Sequence, residues 1–326
     1  MFKRLTMGSL ALALLMTQAQ AAEKIVFQLG WLPGGDKAPV YIAVHKGLFA
    51  KAGLEVEIRS GRGSADTMTK VATGSADLGE VGLGTVLLAK AQGGVPVVAV
   101  MPIFTKQPDV LLVDQAGPIK SLKDVEGKTI ATSPYSSSNV YWPIVLEANG
   151  VDAKKVTLIK ADPAALAGML TTGQVAGTIN WVTASSSTNV ALKSQGKQML
   201  SLSWSDYGFD GYAQSIVASD KILKERPQAV KAFLEAYREA EKIMQSDPAE
   251  TVAAIQAAVP ELDAASIASD AAAAVSLIFN DASKKDGLGV FEPSLVATTW
   301  KWVAKAQGLP ENKLAPQSSV ALVLTQ

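Results

Sequence analysis

The chain has no cysteine and only one histidine, His45. The first absence excludes disulfides, thiolate metal sites and a cysteine nucleophile. It also excludes the lipidated cysteine that tethers some exported proteins to a membrane. No His/Glu metal spacing appears, and order and spacing assemble no Ser/His/Asp triad around His45, so no catalytic or metal-ligating residues are expected. An excess of charge of one sign is missing too. Lys+Arg and Asp+Glu both total 30, giving a net charge of zero and no global field toward nucleic acid or an anionic membrane. Beyond the N-terminus, no apolar run reaches the roughly 20 residues of a membrane helix.

What is present is a globular composition, 48% hydrophobic and 18% charged, in 326 residues, enough for two domains. Lys3 and Arg4 precede a short apolar run over 10–16 and the small-x-small site Ala19-Gln20-Ala21. This predicts a cleavable secretory signal peptide over 1–21 and a mature chain from near Ala22, exported to the periplasm.

Short apolar runs then alternate with helical stretches. Strands are expected over 24–29, 54–58, 76–81 and 95–100, with helices over 38–52, 64–73 and 85–92 between them. The pattern recurs with strands over 128–131, 156–159, 176–180 and 198–202 and helices over 138–149, 163–172 and 184–193. Alternation of this kind predicts an α/β fold with parallel sheets covered on both faces. Asp162-Pro163 is a helix start, with Asp as N-cap and Pro at the first helical position. The segments 72–79 and 171–178 echo each other, each a helix ending at glycine before a strand. This suggests two similar lobes, or shared βα grammar alone. From about Ile216 onward long Ala-rich helices take over, at 227–245, 248–258, 264–279 and 293–307. They either return to the first lobe or form a third domain. Ligands sit beyond the carboxyl ends of strands in open α/β sheets, so the strand-to-helix loops carry the functional candidates.

The opening 29–58, with its aromatic-x-Pro loop (Trp31-Leu-Pro33), Lys46-Gly-Leu-Phe49 and Gly53-Leu-Glu-Val-Glu57, resembles a known family. It is similar to the periplasmic solute-binding proteins of ABC transporters for thiamine-precursor pyrimidines, riboflavin, taurine, aliphatic sulfonates and nitrate. Gly74-Ser-Ala-Asp77-Leu-Gly79, the strand at 94–100, the entry at 119–128 and Arg226-Pro227 follow in family order. The resemblance implies a two-lobed type II periplasmic-binding-protein fold. Lobe one would be 22–115 plus 216–326, lobe two 116–215, and two crossing strands would form the hinge. It also implies hinge closure on a small solute and delivery to the permease of an ABC transporter.

Several loop residues suit such a cleft. Trp31 offers a flat apolar face for a ring, or packs on a lobe surface. Asp36 is a hydrogen-bond acceptor, or the N-cap of the next turn. Gly63 and Ser64, in the turn Gly61-Arg-Gly-Ser64, expose backbone N–H groups, with Arg62 as a charge. Glu80 and Gly82 lie where backbone approaches a ligand closely, Glu80 as an acceptor or a strand-end surface charge. Ser133, Tyr135, Ser136 and Ser137 make a hydroxyl-rich loop, part of which caps a helix. Asn180 and Trp181 end a strand as an amide-aromatic pair. Tyr207 lies in a glycine-rich loop before the return crossing. At least one of Trp300 and Trp302 is assigned to lobe packing and neither to the site, and His45 to a helix surface.

Aromatics beside Asp36 and Glu80 point to a neutral or mildly cationic heterocycle, such as a pyrimidine-type vitamin precursor. The serines, helix N-termini and Arg62 leave a sulfonate, taurine or nitrate as the alternative. A different class is an enzyme of pyrimidine biosynthesis. Fungal enzymes of this fold use pyridoxal phosphate at a cysteine-rich, histidine-bearing site, which this chain lacks. No cofactor is expected, and the chain is expected to act as a monomer.

Overall fold

The computed structural model describes residues 22–324, without the side chain of Tyr207. The signal peptide expected over 1–21 lies outside the described residues. Among the described residues, ten strands build two five-stranded sheets. β1 (Glu23–Gln28), β2 (Leu54–Arg59), β3 (Leu78–Gly82) and β4 (Val97–Pro102) come first. β5 (Asp109–Asp114), β6 (Thr129–Thr132), β7 (Thr157–Lys160), β8 (Gly177–Trp181), β9 (Met199–Ser203) and β10 (Gln214–Ser219) follow.

The sheet orders, β2-β1-β3-β10-β4 and β7-β6-β8-β5-β9, follow one plan. In each, the fourth strand was borrowed across the molecule and runs antiparallel: β10 between β3 and β4, β5 between β8 and β9. The expectation of purely parallel sheets is corrected at these two strands. β5 pairs in the second sheet, although the family resemblance implies a lobe one that runs to 115. Its central run Val110-Leu-Leu-Val113 is continuously apolar because it is buried on both faces. Val110 and Leu112 join one core cluster, Leu111 and Val113 another.

The chain crosses between sheets at 103–108 and 204–213, and the crossings bond to each other. Ile103 N donates to Gln214 O at 2.8 Å, Ala213 N to Phe104 O at 3.0 Å, and Gln107 Nε2 to Tyr212 O at 2.9 Å.

The helices follow the expected spacing, with breaks. The helix expected over 38–52 divides into α1 (Ala38–His45) and α2 (Leu48–Lys51) around Gly47. α3 (Ser64–Ala72) and α4 (Leu83–Ala91) complete the first group, and α5 (Ser138–Ala148), α6 (Leu166–Thr171) and α7 (Ser186–Ser194) the second. Asp162 accepts from Ala164 N as a cap, but the first turn, Pro163–Ala165, is 3-10. After β10 come α8 (Asp220–Glu225), α9 (Pro227–Ser246), α10 (Pro248–Ala258), α11 (Ala264–Ile278), α12 (Asp281–Asp286) and α13 (Pro293–Ala306). α9 and α10 pack on α1, and α11 on the turn before it. α13 packs on both α4 and α5, where Trp300 is buried with its Nε1 donating to Glu311 O. His45 is a surface residue, 2.7 Å from Glu250.

Candidate functional site

The carboxyl ends of both sheets face one cleft. β1 delivers Gly30 and Trp31, and the 3-10 turn Gly35–Lys37 delivers Asp36 and Lys37. Gly63 and Ser64 open α3. From the second sheet come Ser136 and Ser137 before α5, Asn180 and Trp181 at the end of β8, and Ala184. Gln214 lines the cleft from the start of β10. The structure therefore brings together Trp31, Asp36, Gly63, Ser64, Ser136, Ser137, Asn180 and Trp181.

Other candidates fall elsewhere. Glu80 lies beneath the cleft, 1% exposed, with its carboxylate fully engaged. It accepts from Gly30 N (3.2 Å), Gln214 Nε2 (3.1 Å) and Tyr237 OH (3.4 Å) and pairs with Lys37. It is neither a surface charge nor a cleft wall. Gly82 donates its N–H to Ser64 Oγ (2.9 Å) and lies against Ser137, where an added Cβ would sit 2.7 Å from the serine Cβ. Ser133 and Tyr135 form the seam where the two halves meet. Ser133 Oγ donates to Arg62 O (2.9 Å), and Ala65 N donates to Tyr135 O (3.1 Å). The exposed Tyr135 ring lies 6.0 Å from the Arg62 guanidinium, which pairs with Asp162 at 2.8 Å. Arg62 is thus turned to the seam, not to an anion in the cleft. Gly63, at φ +137°, permits the approach: a Cβ there would lie 2.5 Å from the Tyr135 carbonyl. Tyr207 ends the 3-10 turn Trp204–Tyr207, and its side chain lies outside the described residues.

Asp36 makes no cap bond: Gly34 is the cap of its own 3-10 turn and Lys37 that of α1. Its Oδ2 instead sits 3.0 Å from Lys37 Nζ and accepts from Thr183 Oγ1 at 3.3 Å. Lys37, 1% exposed, is the residue that sequence reasoning missed. Its Nζ is also 3.0 Å from Glu80 Oε2 and lies over the Trp181 ring at 6.0 Å. Burial alone would pull the Lys37 ammonium pKa down, but the charges of Asp36 and Glu80 more than reverse this and raise it. Burial raises the Asp36 pKa; Lys37 opposes that rise and Glu80 adds to it. The signal for Lys37 was present. α1 is apolar nearly all round, so a residue at its start is buried, and a cation at a helix N-terminus is unfavourable unless paired.

Two further carboxylates occupy the helix ends that face the cleft from the second sheet. Asp270 Oδ1 accepts from Ser186 N (3.2 Å) and Oγ (2.7 Å) at the start of α7. Asp109 holds Ser138 at the start of α5 and accepts from Trp181 Nε1 at 3.1 Å. Burial pushes Asp270 up to about 7, with the Asp36 charge adding to it, and pushes Asp109 up to about 6. Asn180 is spent locally, donating to Ala184 O (3.2 Å) and accepting from Trp181 N (2.9 Å). What the cleft offers is indole surface, a carboxylate, hydroxyls and one fixed ammonium, in electronegative surroundings.

Known proteins share the family and the fold of this chain. The family model described as NMT1/THI5 like matches residues 35–251. A Haemophilus influenzae protein named for thiamine biosynthesis is 28% identical over 230 residues, covering 71% of this chain and 72% of its own length. The 4-amino-5-hydroxymethyl-2-methylpyrimidine phosphate synthase THI11 of Saccharomyces cerevisiae is 29% identical over 111 residues, 34% of this chain and 32% of the enzyme. Among solved structures, the alkanesulfonate-binding protein SsuA of Xanthomonas axonopodis superposes with a TM-score of 0.71 at 16% identity. It covers 93% of this chain and 99% of its own. The fold is that of the periplasmic binding proteins. Among the described residues no helix is long and apolar enough to cross a membrane.

Proposed function

The chain belongs to the NMT1/THI5-like family, and from that premise we propose that it is the solute-binding component of an ABC importer. It works in the periplasm as a monomer and captures a small, NH-bearing heterocycle of the pyrimidine type. One lobe is built on the first sheet and the C-terminal helices, the other on the second sheet. The bonded crossings at 103–108 and 204–213 are the hinge. A solute touching both lobes favours the closed state by the difference in its affinity for the two conformations, and the permease reads that state.

The observation that carries the ligand class is the placement of the carboxylates. The two second-lobe helix ends that would hold a sulfonate or nitrate already hold Asp270 and Asp109. The cleft ammonium is committed to Asp36 and Glu80. An added anion would meet like charge, whereas a ring N–H or amine finds Asp36 as acceptor and Trp31 or Trp181 as a stacking surface. The same ammonium argues against imine chemistry of the pyridoxal phosphate kind. Held protonated between two carboxylates, the Lys37 amine has no free electron pair for a carbonyl carbon.

The test is a thermal-shift panel on mature protein stripped by unfolding and refolding. A ligand at about 100 times its Kd adds about 2.7 kcal/mol. Aminopyrimidines are expected to raise Tm, and taurine, alkanesulfonates and nitrate are not. Stabilisation by the oxyanions alone overturns the reading.

A further inference from the structure

Beside the cleft, beyond Trp31, lies a larger space. It measures about 310 Å³, against about 20 Å³ in the cleft, so a ring enters the cleft only as the lobes part at the hinge. Trp31, Asp36 and Ala184 line both, so the two are contiguous. Only the larger one reaches the roughly 300–1,000 Å³ of small-molecule sites. Its far wall is α11, which contributes Ile267 and Asp270, and the preceding loop contributes Glu261. None of the described wall residues is basic.

We propose that this chamber is a second subsite, holding a positively charged arm of the solute whose ring lies in the cleft. The inference rests on the cleft reading and extends it: the solute is a heterocycle with an ammonium-type arm, not a bare ring. Asp270 carries the argument. Its carboxyl is buried to 8% exposure, and it accepts hydrogen bonds from neutral groups, Ser186 N and Oγ and the Ser185 backbone. Withdrawn from water, this carboxyl keeps its proton up to about 7, and a cation entering the chamber favours its ionised form. The half-buried Trp31 supplies an indole face, the surface that recognises ammonium groups. Ile267 covers the methylene or methyl groups of the arm. Glu261, exposed at the rim, draws the cation in.

Calorimetry on the refolded mature chain tests this with three probes. They are 4-aminopyrimidine, the same ring carrying a trimethylammonioethyl arm at carbon 5, and the same ring carrying the isosteric uncharged dimethylbutyl arm. The cationic arm is expected to tighten binding about tenfold over both other probes. Asp270→Asn and the exposed Glu261→Lys are each expected to shrink that advantage to about threefold or less. A cationic arm that binds no tighter than the bare ring overturns the chamber while the bare ring's own binding keeps the cleft reading. An advantage untouched by both substitutions also overturns the chamber. Failure of all three probes to bind overturns the cleft reading and the chamber together.

Discussion

Replacing Lys37 by methionine probes the centre of the site. The side chain keeps its approximate volume but loses the ammonium, and Asp36 Oδ2 and Glu80 Oε2, each 3.0 Å from Nζ, lose their shared counter-charge. Glu80 retains donors from Gly30, Gln214 and Tyr237, whereas Asp36 retains only Thr183 among the described bonds. The proton taken up in compensation therefore goes to Asp36. Removing one partner of a buried pair costs about 3–5 kcal/mol, which in a chain this size lowers Tm on the order of 10 °C. The loss should be larger at pH 8 than at pH 5, since acid supplies the proton, and Asp36→Asn in the same chain should recover most of it. Urea unfolding of the three proteins at both pH values measures this. A Lys37→Met protein as stable as wild type, with no pH dependence of the difference, refutes the electrostatic account of the cleft.

Three further outcomes are expected. Gly63→Ala adds a Cβ 2.5 Å from the Tyr135 carbonyl at φ +137°. It should weaken solute binding by calorimetry about tenfold or more, because the closed fraction falls, while the Tm of the unliganded protein drops by less than that of Lys37→Met. Asp109 and Asp270 hold their protons up to about 6 and about 7, against an ordinary 3.8. The folded state thus binds more protons than the unfolded one, and on their account stability falls as pH rises from about 4 to 7. Asp109→Asn and Asp270→Asn should each flatten that stretch of the urea-midpoint profile. Glu241 is 0% exposed on α9, neither carboxyl oxygen has a hydrogen-bond partner among the described residues, and burial raises its pKa well above the ordinary range against the opposing charge of Arg238. Glu241→Met should stabilise the protein by about 1–3 kcal/mol, read as a higher Tm; a lower Tm contradicts the assignment of that carboxyl as a burden.

The alternation of strand and helix was legible because each local signal agreed with the next. The helix expected over 248–258 is α10 to the residue, with Asp247 capping it through Glu250 N. The strands that escaped, β5 and β10, lie away from the βα rhythm. Each is a short apolar run with polar ends, and its antiparallel partners lie far away in sequence. The cleft residues on β1, α3 and β8 were reachable because ligands gather beyond strand ends. How far one loop stands from another is not written in local pattern. Ser133 and Tyr135 therefore looked like cleft residues but form the seam, and Glu80 looked like a ligand acceptor but is spent on Lys37. Lys37 itself reads as an ordinary surface lysine until the burial of α1 is taken into account.

In the proposed role, Asp36 in its electronegative cleft selects an NH-bearing ring over an oxyanion. The most direct measurement is calorimetric titration of 4-aminopyrimidine and of taurine into refolded wild-type and Asp36→Asn protein. The account predicts that the wild type binds the aminopyrimidine and not taurine, and that Asp36→Asn weakens the aminopyrimidine about tenfold or more. Taurine binding to the wild type, strengthened by Asp36→Asn, would contradict it.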